Sequence, residues 1–552
     1  MCFILFCVSP RGTAQPVVTI DPGSRFQTIE GLGGSLAFGE AAFGTMPSDK
    51  FNHLIWRLFD DLRLNLVRIR MRNEIEPVND NANPDSINWS NVLPLPDTAA
   101  LRVVRAGRAL GFGLNVLATP WSPPSWLKTN DTTINGGHLK PGGESELAEW
   151  FRIFLLIWRD QYGVPVNVLS LQNEPSYVAS YESCIYTPAE LNRALRVVVP
   201  RLRMWGFDSL RIIGPDDASA ETSLTFADSL LLPPEIRAML SGFAIHNYST
   251  PYTTPTAKVA LLQTIRQRCA AANVPVWHTE YGNLNNTGAG TLAEAHLEAW
   301  HWLVALNELG SSTFLHWQIA ATKRSNGAPL GVALVQYNTD NQTFYLPPKY
   351  YFVKHFTRFI WRGMVRVAVS GLPTNVRGSA FLDDPSERGV AVIQNANATA
   401  QTVRIVWPGA DTLHLWRSSR TDTCLQLPPV VKTGNAFELS LPESSIVTLV
   451  GTLRGTNAVG AAAIPPEHFL EQNFPNPFNP TTTIRFSLDR PSPVSLKIFD
   501  VLGREIATLV HEFRSPGVYT VRWEGKDASS GMYVCRLQTE GFIASRRMLL
   551  LR

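Results

Sequence analysis

Eight short β-branched runs, each followed by an amphipathic stretch, constrain this chain more than any other feature. The runs fall at 29–38, 64–70, 114–119, 166–172, 211–215, 242–248, 274–280 and 311–318. Helical periodicity fills the gaps at 47–62, 97–110, 145–161, 188–204, 223–240, 255–271, 291–308 and about 348–359. An apolar period of two marks a strand and one near 3.6 marks a helix. Thr187-Pro188-Ala189-Glu190 opens one helix with a hydroxyl cap, a proline in the first turn and an acid three residues on. Eight strand–helix units in series predict an α/β fold, a closed parallel (β/α)8 barrel. Hydrophobic residues make up 45% of the 552, enough for a large core, so a disordered chain is excluded.

The chain changes character twice beyond the barrel. Residues 362–452 carry short strands with turn signals about every ten residues, which predicts a side β-sandwich. The early strand at 17–23 can join it, so the barrel unit is taken as 16–361 with that strand included. Residues 453–467 are Gly, Ala and Pro with little pattern and read as a linker. Residues 468–552 alternate apolar and polar, with turns at Leu502-Gly503 and Gly525-Lys526, and predict a small all-β immunoglobulin-like sandwich. At the front, the apolar run 2–8 and Gly12-Thr13-Ala14 make 1–15 a truncated signal segment, with no basic residue ahead of it.

Charge narrows the partners. Lys+Arg minus Asp+Glu is 49 − 46 = +3, without blocks, which argues against a nucleic-acid surface. No apolar run reaches the roughly 18 residues that a membrane span needs. Cys2, Cys7, Cys184, Cys269, Cys424 and Cys535 fit no metal-knuckle spacing, and nothing calls for a metal or a cofactor. One or two disulfides stay open, with no pairing readable.

Barrel enzymes place their chemistry at the C-terminal ends of strands. The fourth strand here ends in Asn173-Glu174-Pro175 and the seventh in Glu280. A carboxylate directly after an apolar strand needs a reason to be there. The fourth and seventh strands face each other across a closed barrel. Two converging carboxylates are what glycoside hydrolysis uses, one as proton donor and one as nucleophile. The other strand ends agree. Arg68 and Arg70 share a face of the second strand, where an Arg can hold a carboxylate ionised. Trp121 and Trp126 come after the third strand and are expected at the rim. His246 and Tyr248 end the sixth, Tyr248 in reach of the nucleophile. His316-Trp317 end the eighth as a floor for a sugar ring. His278 is expected on the same face as Glu280, supporting it.

Two resemblances extend this reading. The segments QTIEGLGGS (27–35), LNLVRIR (64–70), ATPWSPPSWLKTN (118–130), LQNEP (171–175), YESCIYTPAEL (181–191), IHNYS (245–249) and HTEYGN (278–283) resemble glycoside hydrolase family 30. That resemblance implies a retaining enzyme with Glu174 as general acid/base and Glu280 as nucleophile. It also implies that Asn173 contacts the sugar 2-hydroxyl and that Arg68, Tyr248 and Trp317 stand around the nucleophile, with no metal needed; Trp121, Trp126 and His246 join them as substrate-binding candidates from their strand ends. The family's substrates include xylan, glucuronoxylan, β-1,6-glucan, β-1,6-galactan and glucosylceramide; a β-linked polysaccharide, xylan first, is the expected partner. Lys323 and Arg324 are the cations available near a uronate, without an alignment to the family's arginine. A surface carbohydrate-binding protein or adhesin without turnover is the rival reading. The tail, with NFPNPFNP (473–480), DVLGRE (500–505) and SGMY (530–533), resembles the C-terminal sorting domain of type IX secretion substrates. It implies the type IX machinery as a partner and a secreted or cell-surface destination.

Overall fold

The computed structural model describes residues 15–44, 46–79, 83–93, 98–111, 113–323, 327–453, 468–488, 492–514, 517–539 and 542–551. Nearly all of the expected signal segment, all but one residue of the expected linker, and Arg324 lie outside the described residues.

Strand β1 (Val17–Thr28) precedes the barrel strands β2 (Gly31–Ser35), β3 (Leu66–Met71), β4 (Asn115–Pro120), β5 (Val168–Ser170), β6 (Arg211–Asp217), β7 (Leu240–His246), β8 (Val276–Tyr281) and β9 (Ser311–His316). The barrel strands pair in chain order, all parallel, and β2 closes onto β9. Closure has a cause at the level of residues. Leu66, Leu117, Val168, Ile213, Ala244, Trp277 and Leu315 point inward from seven strands and plug the interior. The remaining strand, β2, supplies glycine instead. A Cβ on Gly33 would lie 1.7 Å from the Leu66 carbonyl oxygen, so any side chain would push β2 off β3.

The helices Ser48–Ile55, Thr98–Ala109, Glu144–Leu156, Pro188–Met204, Ala220–Leu231, Val259–Ala271, Leu292–Val304 and Pro348–Thr357 ring the barrel. Three of the expected helices end instead in wider π turns, at Trp56–Asp61, Ile157–Gln161 and Ala305–Leu309. The expected helix at 223–240 stops at Leu231, because the consecutive Pro233 and Pro234 have no N–H to donate. The Thr187 hydroxyl and Glu190 carboxylate cap each other's backbone as expected.

β1 leaves the barrel and lies antiparallel to 365–370 and parallel to 401–406, within a nine-stranded sheet. That sheet closes over a second core that includes Val18, Ile20, Trp407 and Phe437. The tail is a three-stranded sheet facing a four-stranded one, around Phe486, Leu496, Ile498, Trp523 and Leu537. Cys184, Cys269, Cys424 and Cys535 are free thiols, so no disulfide joins them; they sit in a barrel loop, a barrel helix, the side domain and the tail. No described helix is long and apolar enough to cross a membrane.

Candidate active site

The fourth barrel strand is only three residues long, and the chain turns sharply beyond it. Glu174 sits at φ +47 and Asp216, on the next strand, at φ +66. Residues other than glycine seldom adopt this left-handed region, Asp more readily than Glu, and strain of about 1 kcal/mol or more persists only where the surroundings impose it. Here the Glu174 N–H donates to the Asp216 carbonyl at 2.9 Å, locking the two strand ends together. The Glu174 carboxylate is thereby aimed over the barrel mouth.

Glu280 meets it from β8. One oxygen of Glu174, one of Glu280 and one His246 nitrogen all lie within 4.8 Å of one another. Glu280 Oε2 accepts from Arg68 Nη1, and its Oε1 accepts from the Tyr248 hydroxyl at 3.0 Å. Arg68 is fully buried and its nitrogens are shared out. Nη2 donates to Asn173 Oδ1 at 2.7 Å and to Asp216 Oδ2 at 2.9 Å, and Nε donates to Thr119 Oγ1 at 3.3 Å. His246 Nδ1 faces Glu174 Oε1 at 3.0 Å, and its Nε2 faces Asp216 Oδ1 at 3.3 Å.

The electrostatics come from burial set against contact. Burial alone would strip charge from Arg68, but the carboxylates of Asp216 and Glu280 hold its pKa above the ordinary arginine value. Burial pushes the Asp216 carboxyl up, and Arg68 and His246 more than reverse that, leaving it well below the carboxylate range. Burial would also discharge His246; Glu280, Asp216 and Glu174 instead push it up to about 10. Burial raises Glu280, with His246, Arg68 and the Tyr248 hydroxyl pulling the other way. The centre therefore holds two firm cations between carboxylates. A metal ion could find ligands in Glu174, His246 and Glu280, but both His246 nitrogens already face carboxylate oxygens and Arg68 occupies Glu280.

Six of the expected residues thus converge: Glu174, Glu280, Asn173, Arg68, His246 and Tyr248. The aromatic ones divide. Trp121 is buried beneath Arg68, whose guanidinium lies 4.7 Å over its ring; it is a floor under the cation and does not stand at the rim. Trp317 lies 5.9 Å from Trp121 and 6.2 Å from Phe38. Trp126 is apart from this group, its indole N–H donating to the Glu76 carbonyl at 2.8 Å. His316 does not form a sugar floor. It is buried against Glu298 at 2.9 Å and the Val332 carbonyl at 3.0 Å, leaving only Trp317 to reach the cluster.

His278 is also corrected. β8 pairs His278 with Ile245 and Glu280 with the very next residue, His246, so one extra residue is bulged out. Thr279 and Glu280 both turn to the centre, and His278 faces outward, stacked on Phe314 at 4.5 Å. Strict alternation could not show this. Sequence reasoning also missed Asp216, Thr279, Phe38 and Tyr181. Asp216 carried a readable signal, an acid directly after an apolar strand. Phe38, at φ +61 and 44% exposed, meets Trp121 at 5.3 Å and Tyr181 at 6.3 Å, edge to face. Burial first, then the charges of Glu174 and Glu280, raise the Tyr181 phenol above the ordinary tyrosine value. Lys323 ends a short strand, Ala320–Lys323, but its side chain, like Arg324, lies outside the described residues.

Comparison with known proteins adds three family matches. Residues 29–284 match the glycosyl hydrolase family 30 TIM-barrel domain, 363–449 its beta sandwich domain, and 472–550 a secretion system C-terminal sorting domain. The glucuronoxylanase XynC of Bacillus subtilis is 24% identical over 478 residues, covering 82% of this chain and 96% of that protein. The lysosomal acid glucosylceramidase of Mus musculus is 24% identical over 424 residues, covering 69% and 78%. The catalytic domain of a family 30 xylanase C from Talaromyces cellulolyticus has the same fold. It gives a TM-score of 0.67 at 23% identity, covering 79% of this chain and 100% of that domain.

Proposed function

We propose that this chain, which belongs to glycoside hydrolase family 30, is a retaining enzyme that cleaves a β-linked polysaccharide, xylan first, by double displacement. It is a glycoside hydrolase by family, and its tail is a sorting domain for export. The observation that carries the mechanism is the approach of the Glu174 and Glu280 oxygens to within 4.8 Å. Retaining pairs sit about 5–5.5 Å apart, whereas inverting pairs leave about 6.5–9.5 Å for a water.

Glu280 is the nucleophile. Arg68 and Tyr248 hold one oxygen each, so the carboxylate meets the anomeric carbon already oriented. Glu174 donates a proton to the leaving oxygen as the glycosyl ester forms on Glu280. It then takes a proton from the water that breaks the ester. Asn173, its carbonyl tied to Arg68, turns its amide nitrogen toward the sugar 2-hydroxyl. Trp317 and Phe38 offer ring faces to the apolar side of a sugar. Support for xylan comes from the overlap with a glucuronoxylanase, which spans 82% of this chain. Export runs through the type IX machinery to the cell surface or beyond.

The test is product analysis of the full chain. Linear xylan, glucuronoxylan, arabinoxylan, β-1,6-glucan, β-1,6-galactan and a glucosyl-lipid analogue are supplied separately. The expected result is release from a xylan, with a β-configured first product by NMR. Glu174→Gln and Glu280→Gln each lower kcat by roughly 1000-fold or more. An α-configured first product, or turnover that survives Glu280→Gln, sinks the mechanism; release from another glycan reassigns the substrate.

A further inference from the structure

We propose that Asp216, on the strand between β5 and β7, is a positioning residue for both carboxylates: it holds Arg68 onto Glu280 and His246 onto Glu174. The proposal rests on the roles given to Glu174 and Glu280 above. Asp216 is fully buried, and each part of it is engaged. Oδ2 accepts from Arg68 Nη2 at 2.9 Å. Oδ1 accepts from Thr279 Oγ1 at 2.5 Å and faces His246 Nε2 at 3.3 Å. Its carbonyl accepts the Glu174 N–H at 2.9 Å.

Both routes lead to a reacting oxygen. Arg68 continues from Asp216 to Glu280 Oε2, and His246 continues from Asp216 to Glu174 Oε1. A guanidinium is rigid and planar, so fixing Nη2 also fixes the direction of Nη1. An imidazole held at both nitrogens cannot swing away from Glu174. A buried carboxylate is costly unless its partners repay it, and Arg68 already has Glu280 and Asn173. A mere counter-ion would not need to bridge to His246 and Thr279 as well.

The chemistry of substitution sharpens the point. Asn in place of Asp216 keeps the shape but removes the negative charge that faces Arg68 and His246, and its NH2 group has no acceptor on the Arg68 side. Both routes then lose their ionic anchor. The groups facing Asp216 are Arg68 from β3, His246 from β7 and Thr279 from β8; Glu174 and Glu280 lie one contact further. His246 is itself faced by Asp216 of β6 at 3.3 Å, Glu174 beyond β5 at 3.0 Å, Glu280 of β8 at 3.9 Å and the Tyr248 ring edge to face; removing the Asp216 anion lowers its proton affinity, so the alkaline limb of the kcat–pH profile moves toward acid.

The test uses the full chain with Asp216→Asn and the milder Thr279→Val, each checked for fold by near-UV circular dichroism. Turnover is measured on the polymer that the wild type cleaves, and on an aryl glycoside of the same sugar with a very good leaving group. Asp216→Asn is expected to lower kcat on the polymer by about 100-fold, the scale of a roughly 1 Å misplacement, with KM within about threefold. The loss is smaller on the aryl glycoside, which needs less help from Glu174, and the alkaline limb shifts to acid. Thr279→Val gives the same pattern with a loss of a few-fold. If folded Asp216→Asn keeps the wild-type kcat and pH profile and loses only thermal stability, Asp216 is a structural counter-ion and the proposal fails. If Asp216→Asn does not fold, Thr279→Val decides: an unshifted pH profile and unchanged kcat overturn the proposal. A wild type silent on every glycan overturns the functional reading and this proposal with it; an active wild type with an indifferent Asp216→Asn overturns this proposal alone.

Discussion

Two clusters of buried charge lie toward opposite ends of the barrel strands, and the same residue type behaves oppositely in them. At the mouth, Arg68 is pushed above the ordinary arginine value because Asp216 and Glu280 touch it. At the other end, where the tail meets the barrel and side domain, burial pulls arginines down: Arg63 to about 10, Arg388 to about 9 and Arg546 to about 10. There Arg485 takes the close carboxylates, Glu471 at 2.7 Å and Asp383 at 2.9 Å. Arg388 lies 3.9 Å over the Trp361 ring, and Arg546 reaches the Gly111 carbonyl. Burial alone therefore does not set a charge. At the mouth, contact with Asp216 and Glu280 outweighs burial; at the joint, burial outweighs the carboxylate charges around Arg63, Arg388 and Arg546, and all of these arginines remain cations at neutral pH.

The contrast can be broken from either side. The largest effect is expected from Arg68→Met, which leaves two buried carboxylates without their cation. Turnover should vanish and unfolding stability should fall by about 3–5 kcal/mol, read from urea melts. A variant that stayed as stable as the wild type would mean that the mouth is no more tightly paired than the joint. Arg485→Met should leave kcat and KM untouched and loosen the tail, by roughly 1–3 kcal/mol of local stability in hydrogen exchange. Loss of activity in that variant would tie the joint to the mouth and end the distinction.

The histidines sharpen the same comparison with pH. His246 is raised to about 10, so its contribution is complete below its unfolded value and is lost as pH climbs through about 10. His278 and His355 are lowered to about 3 and His301 to about 4, first of all by burial. Their contribution is present above about 6.5 and drains away as pH falls toward 3. A plot of Tm against pH should therefore fall on both sides of neutrality. The smallest expected change is from His278→Phe, which packs against Phe314 without a proton to refuse. It should flatten the acid side and leave the alkaline side as it was; an unchanged acid limb would show that His278 is not one of the groups that set it.

How legible the molecule was depended on whether a signal was local. Eight strand–helix alternations are a repeated local pattern, so the barrel could be read and the structure closes it as expected. Glu174 and Glu280 each come directly after an apolar strand, so they stood out one at a time. Asp216 carries the same signal, one residue beyond the apolar run that ends at Pro215, and the strand itself runs on to Asp217. His278 could not be placed, since a bulge in β8 depends on register with β7 and leaves no mark in the spacing of the residues themselves. Trp121 and His316 are buried where the sequence predicts a rim and a sugar floor, because a strand end does not tell a rim position from a position beneath one.

The order of strands and helices, the change to β-structure after the barrel, and the two strand-end glutamates were all determined by the sequence itself, because periodicity and apolar runs are properties of neighbours along the chain. Only the tertiary structure decided that Arg68, Asp216 and His246 join those glutamates into one network. It also decided that Arg546 of the tail meets the barrel at its other end and Arg485 the side domain. Both rest on contacts between residues far apart in the chain: Arg68 and Asp216 are separated by 148 positions, Gly111 and Arg546 by 435. A carboxylate's charge is set by what touches it in space, and the chain order of these residues carries no trace of that.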